Sequence, residues 1–212
     1  YKHGYSICVS SQVGCNMGCK FCASTIGGKA RDLTAGEILS QIFTASKDLG
    51  VRISNVVMMG MGEPLDNFDS VVRFLELVGC PEGLGIGMRH ISLSTCGVVD
   101  KIYKLMERNL QITLSISLHA PFNEMRDTIM PINKRYNIDE LITACKKYTD
   151  TTGRRISFEY ALIKGFNDTP ECALKLKELL NGIIAHVNLI PANPVHKDKF
   201  VKPDKKAVYA FC

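Results

Sequence analysis

Along the chain, apolar positions switch between short strand-like runs and helical spacing. Residues 6–12 read as a first strand. Thr34 and Glu37 make a capping-box pair ahead of Ile38, Ile42, Ala45 and Leu49, which recur on one helical face, and Gly50 is placed to end that helix. A short apolar strand over 55–60 leads to a helix over 68–78, a strand over 90–95 and a helix over 100–108. Residues 111–117 form a fourth strand. Asn137 and Glu140 open a helix whose apolar face holds Ile138, Leu141, Ile142, Cys145 and Tyr148. A fifth strand over 155–162 follows, then a helix started by Thr169 and Pro170 and stopped near Gly182, then a sixth strand over 186–190. The tail to Lys206 is irregular and lysine-rich, with a last helix starting near Lys205. No repeat of fixed period interrupts this order.

Six strands alternating with helices imply a parallel sheet. The later strands carry polar residues on one face only: Ser92 with Ser94, Thr113 with Ser115 and Ser117, Ser157 with Glu159. Their other faces hold Ile, Leu and Phe. A flat sheet covered by helices on both sides favours strands that are apolar throughout. One polar face therefore predicts a curved sheet with helices outside and a polar lumen inside. The expected fold class is α/β, a partial (β/α)6 TIM-like barrel, with its chemistry at the C-terminal ends of the strands.

Composition narrows the class. The 212 residues are 46% hydrophobic and 22% charged with a net charge of +5, which suits one folded domain and excludes general disorder. No apolar run reaches ~18 residues, so no membrane span is expected. No basic-then-apolar leader opens the chain, and a reducing cytoplasm is expected. The chain begins at Tyr1 and ends at Cys212 within a predicted helix, so residues 1–212 are expected to be an excerpt of a longer protein. Nine cysteines are present, four of them within the first 22 residues. In a reducing compartment such clustering points to metal or redox chemistry.

Cys15, Cys19 and Cys22 form a C-x3-C-x2-C run just after the first strand, at the expected active end. Three thiolates this close can take three corners of a cubane iron–sulfur cluster. The fourth iron then stays open for a ligand, as a catalytic zinc keeps an open position. Gly14 and Gly18 let the backbone turn around the sulfurs. The alternatives are a zinc site using Cys8 as a fourth thiolate, a set of buried structural cysteines, and a C-x2-C redox pair at Cys19 and Cys22 that leaves Cys15 unexplained.

This run after the first strand of a β/α barrel resembles the radical S-adenosylmethionine superfamily. The flanking sequence goes further. Cys8 to Cys15, Phe21-Cys22, Met59 to Leu65 (containing Gly62-Glu63-Pro64), Leu93-Ser94-Thr95, Ser117-Leu118-His119-Ala120-Pro121, Met130 to Asn133, and Asn188 to Pro194 occur in order. Together they resemble the bacterial dual-specificity RNA methyltransferase family, which methylates C2 of adenosine 2503 in 23S rRNA and adenosine 37 in certain tRNAs. A sister family that methylates C8 of the same ribosomal adenosine shares most of these motifs, and Val13 looks more like the C2 enzyme. The resemblance implies a [4Fe-4S] cluster on Cys15, Cys19 and Cys22. It also implies S-adenosylmethionine held at Gly62, Glu63, Ser94, Ser117, Leu118, His119 and Asn193, and a second-role cysteine at Cys8. It further implies that one cofactor methylates a C-terminal cysteine and that a second yields a 5′-deoxyadenosyl radical. The methylene radical made on that cysteine adds to adenine, and a disulfide to Cys8 resolves the protein–RNA link. The implied partners are 23S rRNA, tRNA and an electron donor such as flavodoxin, with no membrane and a monomeric enzyme. Cys212 does not match the methyl-carrying cysteine, which is expected beyond the residues given. The upstream glutamate and the N-terminal RNA-binding domain are expected before Tyr1. The 212 residues are expected to bind cluster and cofactor without completing methyl transfer. Competing readings are another radical S-adenosylmethionine reaction, or a zinc-stabilised RNA-binding module without catalysis.

Other residues have weaker claims. Cys145 and Cys172 read as core, Cys80 has little claim, and Cys96 lies near the active end. Gly83, Gly85 and Gly87 precede a strand and read as a plain loop, since a dinucleotide loop follows one. Met58, Met59 and Met61 read as packing. Glu159 faces the lumen, toward the cofactor or an internal salt bridge. His119 could act as a base but fits better as an orienting group. His3, His90, His186 and His196 have no partner nameable from sequence. Residues 196–206 hold five lysines and two aspartates, and with Lys134–Arg135 and Arg154–Arg155 they could form a basic rim. RNA affinity measured across a salt series is then expected to fall steeply with salt, and a salt-independent affinity contradicts the rim.

Overall fold

Two capping boxes set where the long helices begin. The structure, a computed structural model, describes residues 4–192 and 200–211. In α1 (Ala35–Leu49) the Thr34 hydroxyl accepts from the Glu37 N–H, and the Glu37 carboxylate accepts from the Thr34 N–H at 2.9 Å. Gly50 ends it at φ 62°, the left-handed conformation that glycine adopts without penalty. α5 (Ile138–Thr152) repeats the device with Asn137 and Glu140, and Gly153 ends it. α6 (Pro170–Leu179) starts on Thr169 and stops before Gly182. The other helices are α2 (Phe68–Val78), α3 (Val99–Glu107), α4 (Asn123–Ile129) and α7 (Lys205–Phe211).

The strands are β1 (Tyr5–Cys8), β2 (Gln12–Gly14), β3 (Lys29–Asp32), β4 (Ile53–Met58), β5 (Ile91–Thr95), β6 (Thr113–Ser117), β7 (Ile156–Leu162) and β8 (Ala185–Pro191). Six of them form one all-parallel sheet in the order β1-β4-β5-β6-β7-β8. Each strand lies beside the next in sequence with a helical crossover between, so the sheet curls one way into a half-barrel. Register confirms the polar face. Ser94, Ser115, Ser157 and His186 lie in one row across the sheet, and Ser117, Glu159 and Asn188 in the next. These residues point to the concave side. On the convex side Leu93, Leu114, Ile116 and Phe158 are fully buried. There α1 packs on α2 and α3 on α5. Among the described residues no helix is long and apolar enough to cross a membrane.

Several sequence expectations change. The strand expected over 6–12 splits after Cys8. The Val9 N–H still reaches Val57 O, but the N–H groups of Ser11 and Gln12 turn to Met61 O. Gln12–Gly14 then pairs antiparallel with Lys29–Asp32 in a separate two-stranded sheet. Leu49, expected on the buried face of α1, is 68% exposed in the last position of the helix, next to the Gly50 cap. The short helix α4 went unpredicted, since seven residues offer too little periodicity to see. His90 has a partner after all: its Nδ1 lies 3.0 Å from Asn55 Oδ1.

The cap of α1 has a pH signature. The Arg31 guanidinium, with help from the Thr34 N–H, pulls the Glu37 carboxyl down to about 2 from its ordinary 4.5. The folded value is the lower one, so the stabilisation is complete above the ordinary value and fades as pH falls toward about 2. NMR titration of the Glu37 side chain is expected to give a midpoint near 2, and a midpoint near 4.5 contradicts the capping geometry.

Candidate active site

The C-terminal ends of the strands converge on a cavity of about 230 Å³. The cysteine loop lies between β2 and β3 and covers one side of it. Backbone bonds set the loop's shape. Cys15 N–H donates to Gly28 O at 3.1 Å, and Cys22 N–H to Cys19 O at 3.1 Å. The Thr25 hydroxyl is within hydrogen-bond distance of both Cys19 O and Cys22 O. Lys20 N–H donates to Ile129 O at 2.9 Å, which docks the loop on the end of α4. At Gly14 (φ 81°) an added Cβ would collide with Gly28 O, so only glycine permits the hairpin to pass there.

Cys15, Cys19 and Cys22 all line this cavity, and the first two are buried. Burial raises the Cys15 thiol pKa, with Glu63 and Cys22 adding to it. Burial likewise pushes Cys19 up to about 12, and the other two thiols reinforce this. Among the described residues, no group of three or more His, Cys, Asp and Glu side chains is gathered tightly enough for a single metal ion. Three cysteines on one loop nevertheless border one cavity, and this donor set fits thiolate ligation of three irons of a [4Fe-4S] cluster. The zinc alternative loses its fourth ligand, because Cys8 is exposed at the end of β1 and does not line the cavity.

Gly62 and Glu63 face the loop from the turn after β4. Glu63 is 3% exposed, and its carboxylate accepts from Cys96 N–H at 2.7 Å and Leu65 N–H at 3.0 Å. Burial still raises its pKa against those bonds. Gln12 positions it: the Gln12 Oε1 accepts the Glu63 N–H at 2.8 Å, while its Nε2 donates to Asp32 and Asp66. Gly62 sits at φ 106° against this glutamine, and a Cβ there would meet the Gln12 Cβ at 2.6 Å. The glycine is therefore required by the glutamine that ties the hairpin to the carboxylate.

Ser94, Ser117, His119 and Glu159 complete the expected lining, and Cys96 joins them. Leu118, also expected to touch cofactor, is fully buried beneath the wall and does not line the cavity, because its strand-end register turns it toward the core. Asn193 lies outside the described residues, as do His3, His196 and Cys212. Glu159 accepts from Ser157 Oγ at 2.9 Å and Asn188 Nδ2 at 2.7 Å, both uncharged, and among the described residues no ion pair draws it away from the cavity. His119 adopts φ 57°, and its Nδ1 accepts the Ala161 N–H at 2.9 Å. Its ring meets Phe21 of the cysteine loop edge-on at 4.7 Å. A ring that accepts at Nδ1 and stays neutral carries its proton on Nε2. The geometry removes the base role for His119 and leaves it a donor. Arg154 and Arg155 enter β7 from the opposite end of the barrel, so they cannot border the mouth. Gln12 and Arg126 are the important residues that sequence reading passed over. Gln12 stood inside the quoted Cys8–Cys15 motif, whereas Arg126, in a run of charged residues, looks like an exposed helix face.

A family model described as the radical SAM superfamily matches residues 9–176. The chain belongs to the radical SAM superfamily. Among curated relatives, a probable dual-specificity RNA methyltransferase RlmN of Clostridium acetobutylicum is 60% identical over the whole chain, which covers 61% of that relative. A protein of the same description from Clostridium perfringens is 57% identical, with the same share covered. The chain thus spans about three fifths of the length of the curated relatives it matches. A solved radical SAM methyltransferase from Sphaerobacter thermophilus superimposes with a TM-score of 0.95 at 43% identity, over 100% of this chain and 63% of that one. The radical SAM assignment agrees with the half-barrel and with a cysteine trio at its mouth.

Burial pushes the His119 pKa down to about 3, and Arg126 adds to the effect. NMR is therefore expected to find this ring neutral and protonated on Nε2 throughout pH 5–8 (roughly the usual histidine range). A midpoint near 6.5 contradicts the assignment. The unfolded chain binds that proton first, so acid below about 6.5 favours unfolding through this residue.

Proposed function

We propose that residues 1–212 are the catalytic core of a radical SAM enzyme that methylates C2 of adenosine 2503 in 23S rRNA and adenosine 37 in tRNAs. The observation that carries this reading is the cysteine trio sharing one cavity with the Gly62–Glu63 turn, in a chain 60% identical over its whole length to a probable dual-specificity RNA methyltransferase. In this reading Cys15, Cys19 and Cys22 hold a [4Fe-4S] cluster. When bound, the cluster supplies one electron for reductive cleavage of S-adenosylmethionine.

The chain's own groups then have distinct work. Glu63 accepts hydrogen bonds from the cofactor's ammonium, a charge that favours its ionised form against burial. Ser94 and Ser117 offer hydroxyls from adjacent strand ends. His119 donates from Nε2. Leu118 supports the wall from beneath, and Asn193 is kept as a cofactor contact by its motif position alone. Cys8 stands outside the cluster cavity, exposed to solvent. That location suits a thiol that resolves a covalent link to RNA and does not ligate iron. Adenine C2 is electron-poor and is no nucleophile, so polar attack on a sulfonium is closed to it and a radical route is required. The reading includes an RNA-binding domain before residue 1, a methyl-carrying cysteine after residue 212, a flavodoxin-like electron donor and a monomeric, cytoplasmic enzyme.

Mass spectrometry of RNA from a strain lacking the full-length gene tests this reading. The expected result is complete loss of 2-methyladenosine at both positions, restored by the intact gene but not by a Cys19→Ala copy. Retention of 2-methyladenosine, or loss of an 8-methyl product in its place, contradicts it.

A further inference from the structure

Arg126 heads the fully buried side chains by volume, at 0% exposed. Four hydrogen bonds hold its guanidinium. Nε donates to Leu118 O at 3.1 Å, Nη1 to Asn133 Oδ1 at 3.0 Å, and Nη2 to Cys96 O at 2.7 Å and Ser117 O at 3.1 Å. Every acceptor is uncharged. Among the described residues none of the five ion pairs includes Arg126. The adjacent carboxylate of Asp127 instead accepts from Asn133 Nδ2 at 2.8 Å, one side chain removed. A guanidinium stays charged inside proteins. Carbonyl dipoles orient it but bring no net negative charge, and burying a charge without a counter-ion is costly.

The surroundings indicate where the missing anion belongs. Two of the acceptors, Cys96 and Ser117, lie on the wall of the cysteine cavity. The helix that carries Arg126 also holds the cysteine loop, through Ile129 O and Lys20 N–H, and Met130 beside it lines the same cavity. Burial lowers the Arg126 pKa, and the groups whose negative charge would offset this most are Cys96, Cys19 and Cys145, ahead of Asp127. Of those three, only Cys19 belongs to the trio. Three thiolates more than cancel the charge of an oxidised cubane core, and an added electron makes the site more negative still. Net charge and nearby charges set the potential of such clusters.

We propose that Arg126 is the fixed counter-cation of the cysteine-trio site, held behind the cavity wall by the strand-end carbonyls of Cys96, Ser117 and Leu118 so that it offsets the negative charge of a bound cluster and eases its reduction. The proposal rests on the reading of Cys15, Cys19 and Cys22 as cluster ligands. Its redox step is the gain of one electron by the oxidised cluster from a low-potential one-electron donor. Arg126 exchanges neither electron nor proton and acts as a positioning residue through its charge.

The test is an oxygen-free redox titration with dithionite, followed by electron paramagnetic resonance, on the full-length protein reconstituted with iron and sulfide and kept free of S-adenosylmethionine. Arg126→Gln is expected to weaken reduction about tenfold, a ~59 mV drop for a one-electron couple. Arg126→Lys, which keeps the charge, is expected to stay within about threefold of wild type, less than half of that shift on the same logarithmic scale. A second route keeps the guanidinium in place. The exchange Asp127→Asn with Asn133→Asp conserves total charge but brings a carboxylate onto Nη1, and it is expected to lower the potential in the same direction. That variant carries the test if Arg126→Gln does not fold. An unchanged potential in folded Arg126→Gln, or in the folded exchange variant where Arg126→Gln does not fold, overturns the proposal. Wild-type protein that takes up no iron overturns the cluster reading itself, a result distinct from equal potentials in loaded proteins.

Discussion

Three thiols gathered at one cavity, two of them brought out of water, are the constraint on which the rest of this molecule depends. Burial and mutual repulsion keep Cys15 and Cys19 from ionising, and Glu63 nearby makes ionisation harder. Thiolates form there only when something strongly positive takes the place of the protons. Metal-free, Cys15 and Cys19 therefore stay protonated at neutral pH, and a metal that binds there must displace those protons. Bonds from Cys15 to Gly28, from Lys20 to Ile129 and from Thr25 to two cysteine carbonyls fix the loop that carries the thiols.

The half-barrel gives this loop a fixed rim. Parallel strands in sequential order bring Ser94, Ser117, Glu63 and His119 to one end, and the polar rows across β5 to β8 keep the lumen wettable beneath them. Gln12 couples the parts. One amide side chain accepts from Glu63 N–H and donates to Asp32 on β3 and to Asp66. Lys29 bridges the same two aspartates. The hairpin that carries the cysteines and the turn that carries the carboxylate are thus held by one polar network. A displacement of either is felt by the other.

Much of the fold could be read before any coordinates. Capping boxes at Thr34 and Asn137 are local chemistry, complete within four residues, so they declare themselves in sequence. The one-sided polarity of β5, β6 and β7 likewise reported the curl, because register leaves their serines on a single face. What escaped depends on long-range partners. The β2–β3 hairpin is short and polar, and only its pairing defines it. Leu49 followed the helical period yet stands exposed at the helix end, where nothing local marks the loss of cover. Arg126 sits among Glu124, Asp127 and other polar neighbours that mimic a solvated helix, and only the folded chain reveals carbonyls from two strands aimed at it. Of the motif positions, Cys15, Cys19, Cys22, Gly62, Glu63, Ser94, Ser117 and His119 line the cavity, whereas Leu118 does not, since a residue next to lining residues can still face inward.

The most direct measurement is metal analysis of oxygen-free protein reconstituted with iron and sulfide, beside Cys15→Ala, Cys19→Ala and Cys22→Ala, with S-adenosylmethionine cleavage read under strong reductant. The account predicts brown wild-type protein with about four irons and four sulfides per chain, reductive cleavage of the cofactor, and loss of both in each variant. Pale protein holding zinc, or iron uptake indifferent to the three cysteines, would contradict it.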